Sequence, residues 1–161
     1  MGINAISDST FVAAKDSVVS MPKNDTVNIN LVPKVVQAKP AKTVMKTDKK
    51  GEAYRATLDE DGNEIKRTYL WPSGKVYNIH TMEYGKIQSI DYPGNKTRYE
   101  FTYDENNKLK EVKQGVTKDD GSFQVYETTT FDEKGQGTTR RKKADGTEYV
   151  TGYNYSSHWD Y

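Results

Sequence analysis

Cysteine is absent from the 161 residues, so neither a disulfide framework nor a thiolate metal site can form. Long apolar runs are absent too. Nothing approaches the roughly 20 residues a helix needs to span a bilayer, so no membrane span is expected. Leu, Ile, Val and Phe together number 28, about 17%, below the roughly 20% under which chains tend towards disorder. Histidine occurs only as His80 and His158, and their separation fits no metal-binding motif. The chain has no Gly-x-Ser-x-Gly elbow, phosphate-binding loop or dinucleotide fingerprint. Its paired carboxylates sit in solvated turn sequences, where nothing would raise a pKa for acid–base work. The expectation is a protein that is not an enzyme and needs no cofactor or metal. A net charge of +1 and a pI near 7.8 give no electrostatic case for binding nucleic acid.

What is present argues against wholesale disorder. The chain has 12 Tyr and 2 Trp, a load that disordered sequences rarely carry. All of them follow Lys50, and before it Phe11 is the only aromatic residue. Residues 1–50 hold eight Lys and four Asp with no Arg or Glu, a balance of +4, against −3 for the remainder. This shift predicts two regions, a flexible basic tail or linker over 1–50 and a folded domain over 51–161. Pro22, Pro33 and Pro40 break any long element in the first region, and residues 36–50 read as an extended basic linker. Residues 26–31 alternate like a strand through Val27, Ile29 and Leu31, which suggests a docking or export segment that adds to a partner's sheet. The first residues lack the basic n-region and apolar core of a secretory signal, and Ile6 stands where a myristoylation signal wants Ser or Thr. Location is therefore expected to be cytoplasmic, or exported by a non-classical route.

The second region reads as consecutive hairpins. Turn sequences recur every 9 to 14 residues or so from Gly51 onward, and Asp-Gly pairs at 61, 120 and 145 are strong hairpin signals. Between the turns lie nine predicted strands, roughly 53–58, 64–70, 75–81, 86–91, 97–103, 108–113, 122–130, 137–143 and 147–153. Their Thr and Tyr suit strands. The clearest hairpin is 99–113. Tyr99, Phe101 and Tyr103 alternate with polar residues, Asp104 to Asn107 can turn the chain, and Lys108 to Val112 resumes extension. In Val76-x-x-Ile79, Ile87-x-x-Ile90 and Leu109-x-x-Val112 the spacing of three would place the apolar pair on opposite faces of a regular strand. Bulges that bring both members inward are therefore expected. The predicted fold is all-β, an antiparallel meander of about nine short strands forming a curved, open repeat sheet behind a largely disordered N-terminal tail.

Two polar clusters need chemical readings. Residues 59–64, Asp-Glu-Asp-Gly-Asn-Glu, lack the Gly at position six and Glu at position twelve of an EF-hand loop, so they read as a hairpin turn. The Asn-x-Ser/Thr triplets at 24, 95 and 154 matter only in a eukaryotic secretory chain. The residues best suited to binding are aromatic: Tyr69, Trp71, Tyr77, Tyr84, Tyr92, Tyr99, Phe101 and Tyr103. They fall on neighbouring strands and would form either a half-buried sheet face or a platform for a glycan or an extended peptide. A protein or carbohydrate partner is therefore expected, with self-association through sheet edges as a further route. The final Ser-Ser-His-Trp-Asp-Tyr would cover the last strand edge or remain free.

Residues 85–113 resemble the YD repeat of the rearrangement-hotspot (RHS) and teneurin-like proteins. Gly85-Lys86-Ile87-Gln88-Ser89-Ile90, Gly94-Asn95, and Tyr99 through Asp104 follow that repeat's order, and Asn107-Lys108-Leu109 opens a next unit with Asn in place of Gly. Leu58 to Gly62 and Phe131 to Gly135 are degenerate copies. The resemblance implies β-hairpins that wind into a sheet used as scaffold or for binding. A chain this short is expected to stay open and not close around a toxin, and no toxin domain is recognisable at its C-terminal end. A second expectation is an exported effector whose first 50 residues are its address.

Overall fold

The computed structural model describes residues 41–161. Ten strands form one antiparallel sheet in which spatial order equals sequence order. They are β1 (Lys42–Thr47), β2 (Ala53–Leu58), β3 (Glu64–Leu70), β4 (Val76–Glu83), β5 (Lys86–Tyr92), β6 (Thr97–Tyr103), β7 (Leu109–Thr117), β8 (Phe123–Phe131), β9 (Gln136–Lys142) and β10 (Glu148–Tyr155). β1 and β10 do not pair with each other, so the sheet is open. The expected all-β meander is therefore present, with strands at the nine expected places, β7 running on to Thr117, and one more strand at the start. Residues 1–40 of the expected tail, with the strand-like segment at 26–31, lie outside the described residues.

That extra strand moves the start of the sheet. Composition put a boundary near 50 and a linker before it, yet β1 pairs with β2 along its whole length, Lys42 opposite Leu58 to Thr47 opposite Ala53. Five of its six side chains are exposed. Its place depends on backbone hydrogen bonds and on Val44 packing near Tyr54 and Ala56, which an average over side-chain polarity cannot register.

The turns have a common design. In the 59–62 turn the Gly62 amide donates to the Asp59 carbonyl (3.1 Å), and the Asp59 amide donates to the Asn63 carbonyl (2.9 Å). Asp59 Oδ1 also accepts from the amides of Asp61 and Asn63. The same carboxylate bracket recurs at Asp48, Asp104 and Asp132. Gly62 closes its turn at φ +84°, a conformation that costs a residue with a Cβ. Asn107 fills the same place at φ +64°. Asp-Gly thus marks these hairpins through a four-residue turn. The tight two-residue link is Tyr84-Gly85 between β4 and β5, where Glu83 faces Lys86 and both linking residues have positive φ.

Bulges follow the turns. Register shifts leave Tyr77, Gln88 and Lys110 as extra residues in their strands, each inside one of the spaced apolar pairs. The Gln88 and Lys110 bulges bring Ile87 with Ile90, and Leu109 with Val112, onto one inner face, where all but half-buried Leu109 are buried. Val76 and Ile79 also share a face, but the opposite one. Val76 pairs with Leu70 and Ile79 with Thr68, residues that alternate out of step with inner Tyr69.

The inner face carries two apolar clusters. One is Met82, Ile87, Ile90, Phe101 and Val112; the other is Tyr54, Ala56 and Tyr69. A single sheet face cannot bury such residues without a cover. Residues 156–161 supply it. They leave β10 through a short 3-10 turn, Ser156–Trp159, and cross the inner face as a strap. Lys49 reaches Asp160 (2.7 Å) and Lys50 reaches the His158 carbonyl (2.7 Å), so the strap after the last strand is tied to the first turn. The expectation that this segment covers the β10 edge or stays free is replaced by this inward path.

Candidate functional site

The aromatic residues arrange themselves as a row along the inner face. Trp71 follows β3 on the inward parity, and the β4 bulge turns Tyr77 to the same side. Their rings meet edge to face at 4.4 Å between centroids. The row continues to Tyr92 at 5.6 Å, Tyr99 at 5.9 Å and Trp159 at 5.0 Å, and Trp159 meets Phe101 at 5.2 Å. These separations suit favourable aromatic pairs. A second stack runs Tyr54, Tyr69, His80, Tyr161, with successive centroids 5.4, 4.7 and 4.9 Å apart.

Of the eight residues singled out from sequence, five thus stand in one row: Trp71, Tyr77, Tyr92, Tyr99 and Phe101. Tyr69 belongs to the second stack and is buried. Tyr103 packs at the edge of the apolar cluster, with its hydroxyl donating to the Ile87 carbonyl (2.7 Å). Tyr84 is 90% exposed at the tight turn and joins neither stack. Exposure also divides the row. Phe101 is buried and Tyr92 and Tyr99 are half-buried, whereas Trp71 is 51% and Tyr77 40% exposed. Most of the predicted platform is therefore core, and its open end is the Trp71–Tyr77 pair.

Burial sets the electrostatics of this face. It pushes the hydroxyls of Tyr99, Tyr103 and Tyr161 up to about 12. Tyr69 is raised further by burial and by donating to Asp48 Oδ2 (2.9 Å). Burial works against the Asp48 carboxylate, but the Glu52 amide, the Tyr69 hydroxyl and the Lys50 amide outweigh it and hold the group below its usual range. Arg67 is clamped by Glu64 (2.7 Å) and lies over the Tyr54 ring. His80 is fully buried and neither ring nitrogen has a hydrogen-bond partner. Burial, with Arg67 adding to it, lowers its pKa to about 4, so the imidazole is neutral at pH 7.

Tyr54, His80, Trp159 and Tyr161 are not among the residues expected to bind, although the sequence raises His80 as a metal ligand and the segment holding Trp159 and Tyr161 as an edge cover. The last two are spaced to point the same way from an extended segment, a signal that was present without a partner to attach it to. His80 and His158 do not meet as ligands, since one is enclosed and the other exposed on the strap. Among the described residues no group of three or more His, Cys, Asp or Glu side chains could hold a metal ion, and no helix is long and apolar enough to cross a membrane.

No family model and no curated protein matches the chain. Among solved structures, it is similar to a DUF3836 family protein from Parabacteroides distasonis. That similarity is 16% in identity, over 74% of this chain and 95% of the other, with a TM-score of 0.29.

Proposed function

We propose that the chain is a non-enzymatic binding module built from YD-repeat-like hairpins, and that its partner, an extended peptide or a glycan, docks on Trp71 and Tyr77. The observation that carries this reading is the exposure of those two rings at the end of a row that is otherwise covered. The two rings brace each other edge to face, and Tyr77 also meets Tyr92 edge to face. An aromatic surface ordered beforehand gives up little entropy on binding. Peptide side chains and the apolar faces of sugar rings both suit such a surface.

A binding role is favoured over catalysis by what the carboxylates already do. Asp48, Asp59, Asp104 and Asp132 each accept two backbone amides of their own turn. The YD-repeat kinship is supported by the same geometry. The resembling segment begins at Gly85 of the tight turn, runs through the β5–β6 hairpin and ends in the Asp104 turn. Its Tyr and Phe face inward, and its Asp is architectural. Self-association through the β10 edge is supported by the exposed Tyr149, Val150, Tyr153 and Tyr155 on that strand.

Peptide and glycan arrays probed with the wild type, Trp71→Ala and Tyr77→Ala test the main reading. One class of probe should be retained by the wild type and lost by both variants, with melting temperatures little changed. Binding that survives both substitutions would remove Trp71 and Tyr77 as the site.

A further inference from the structure

The strap does not lie flush on the sheet. Between it and strands β3 to β7 runs a groove of about 500 Å³, within the range of small-molecule sites. Its floor is apolar, with Met82 and Ile87 buried and Tyr103 and Leu109 half-buried. Trp159 and Tyr161 of the strap form one wall.

Three cationic side chains line this groove, Lys49, Arg67 and Lys86, against one side-chain carboxylate, Asp160. Two of the three have a carboxylate partner, Arg67 in Glu64, which Lys46 shares, and Lys49 in Asp160, each at 2.7 Å. Lys86 has no carboxylate partner among the described residues. Its ammonium donates to the neutral side chain of Asn107 and stands 5.4 Å from the Tyr103 ring centroid. A cation without a carboxylate partner, beside an apolar floor, complements a ligand with a negative head and an apolar body.

We propose that this groove binds a medium-chain alkyl monocarboxylate, with the carboxylate on Lys86 and the chain lying over Met82, Ile87 and Leu109 beneath Trp159. The site is separate from Trp71 and Tyr77. It combines hairpins from the middle of the sheet with the strap from its end, so no single repeat contains it. The alkyl chain contributes affinity by leaving water, and Lys86 selects the charged head.

The test titrates the full chain with sodium decanoate below its micellar concentration, reading amide shifts by NMR and tryptophan fluorescence. 1-Decanol is the uncharged control, and Lys86→Gln and Lys86→Glu are the variants. Saturable shifts should centre on residues 82–87, 103–109 and 156–161. Decanol and Lys86→Gln should each weaken binding by about fivefold, the scale of one exposed ion pair, and Lys86→Glu by more. Lys86 is near the surface, and an unchanged amide spectrum in the free variants verifies their fold. Absence of saturable shifts, equal affinity for decanol, unaltered binding by both variants, or shifts centred on Trp71 and Tyr77 would each overturn the proposal.

Discussion

The Tyr161 ring stands edge-on to the His80 imidazole, with centroids 4.9 Å apart and planes at 79°. The contact joins the strap to the middle of the sheet. On its other side His80 meets Tyr69 at 4.7 Å, and Tyr69 donates to Asp48 in the first turn. A fully buried imidazole therefore links the strap to the start of the sheet, with no hydrogen bond of its own. A buried polar group without a partner is costly even when neutral, and a charge there would cost more.

His80 should accordingly make stability fall in mild acid. Its pKa is about 4 in the fold against about 6.5 in an unfolded chain. Between those values the unfolded chain binds the proton and the fold does not. Stability is thus fully present above about pH 6.5, declines as pH falls to about 4, and levels off below for this group. The loss amounts to about 3 kcal/mol. The Asp48 and Glu64 carboxylates, both held below their usual range, act at lower pH. Urea unfolding at pH 7, 5.5 and 4.5 should show the decline in the wild type and a much flatter profile in His80→Phe. A variant with the wild-type slope would remove His80 as the cause.

The strap should be structural as well as a wall of the groove. Trp159 touches Tyr99 and Phe101, and its loss would uncover the apolar cluster. Trp159→Ala should cost about 2 kcal/mol, less than full burial would give because the residue is half-buried. Tyr153→Ala, on an outward residue 79% exposed, should change stability by less than about 0.5 kcal/mol. Equal effects in chemical denaturation would mean that the strap is not held to the sheet.

Much of this fold was legible because its rules are local. Four turns start with Asp, at 48, 59, 104 and 132, and place Gly or Asn three residues on at the left-handed position, so both lie within one short window. The spaced pairs at 87–90 and 109–112 revealed bulges because alternation fails there visibly. What escaped depends on distance. β1 is held by its pairing with β2 and, apart from half-buried Val44, offers composition only exposed Lys, Thr and Met. The strap crosses the inner face because ten twisted strands bring its end near Lys49, a relation no window of sequence contains. The aromatic stripe was visible as a stripe. Which of its rings are covered was not, since the cover comes from residues 156–161.

Two strand glycines should behave in opposite ways. A Cβ on Gly115 would lie 2.0 Å from the Gln124 carbonyl oxygen and 2.8 Å from the Phe123 ring. The nearer obstacle is backbone of the paired strand, which cannot move without breaking the β7–β8 ladder. Gly115→Ala should cost about 3 kcal/mol. Around Gly152 nothing lies within 4 Å of such a Cβ, and Ala there should be neutral or add up to about 1 kcal/mol by restricting the unfolded chain. Thermal unfolding of the two variants side by side decides it. Similar melting temperatures would mean that the β7–β8 contact is looser than these distances require.

Asp104 and Asn107 allow the repeat turn to be tested at its one departure from glycine. Asp104 Oδ1 accepts the Asn106 and Lys108 amides at 2.8 and 2.9 Å, while Asn107 holds φ at +64°. Asp104→Ala should leave both amides to water and cost about 1–2 kcal/mol. Asn107→Gly should gain about 0.5 kcal/mol, because glycine adopts this conformation without Cβ strain, less whatever the exposed contact with Lys86 contributes. Asp104→Asn should recover part of the loss, since its amide oxygen can still accept. Urea midpoints for the three variants should rank Asn107→Gly above wild type, then Asp104→Asn, then Asp104→Ala. An Asp104→Ala midpoint equal to wild type would show that the carboxylate bracket does not hold the turn, and would weaken the architectural reading of the Tyr-Asp motif.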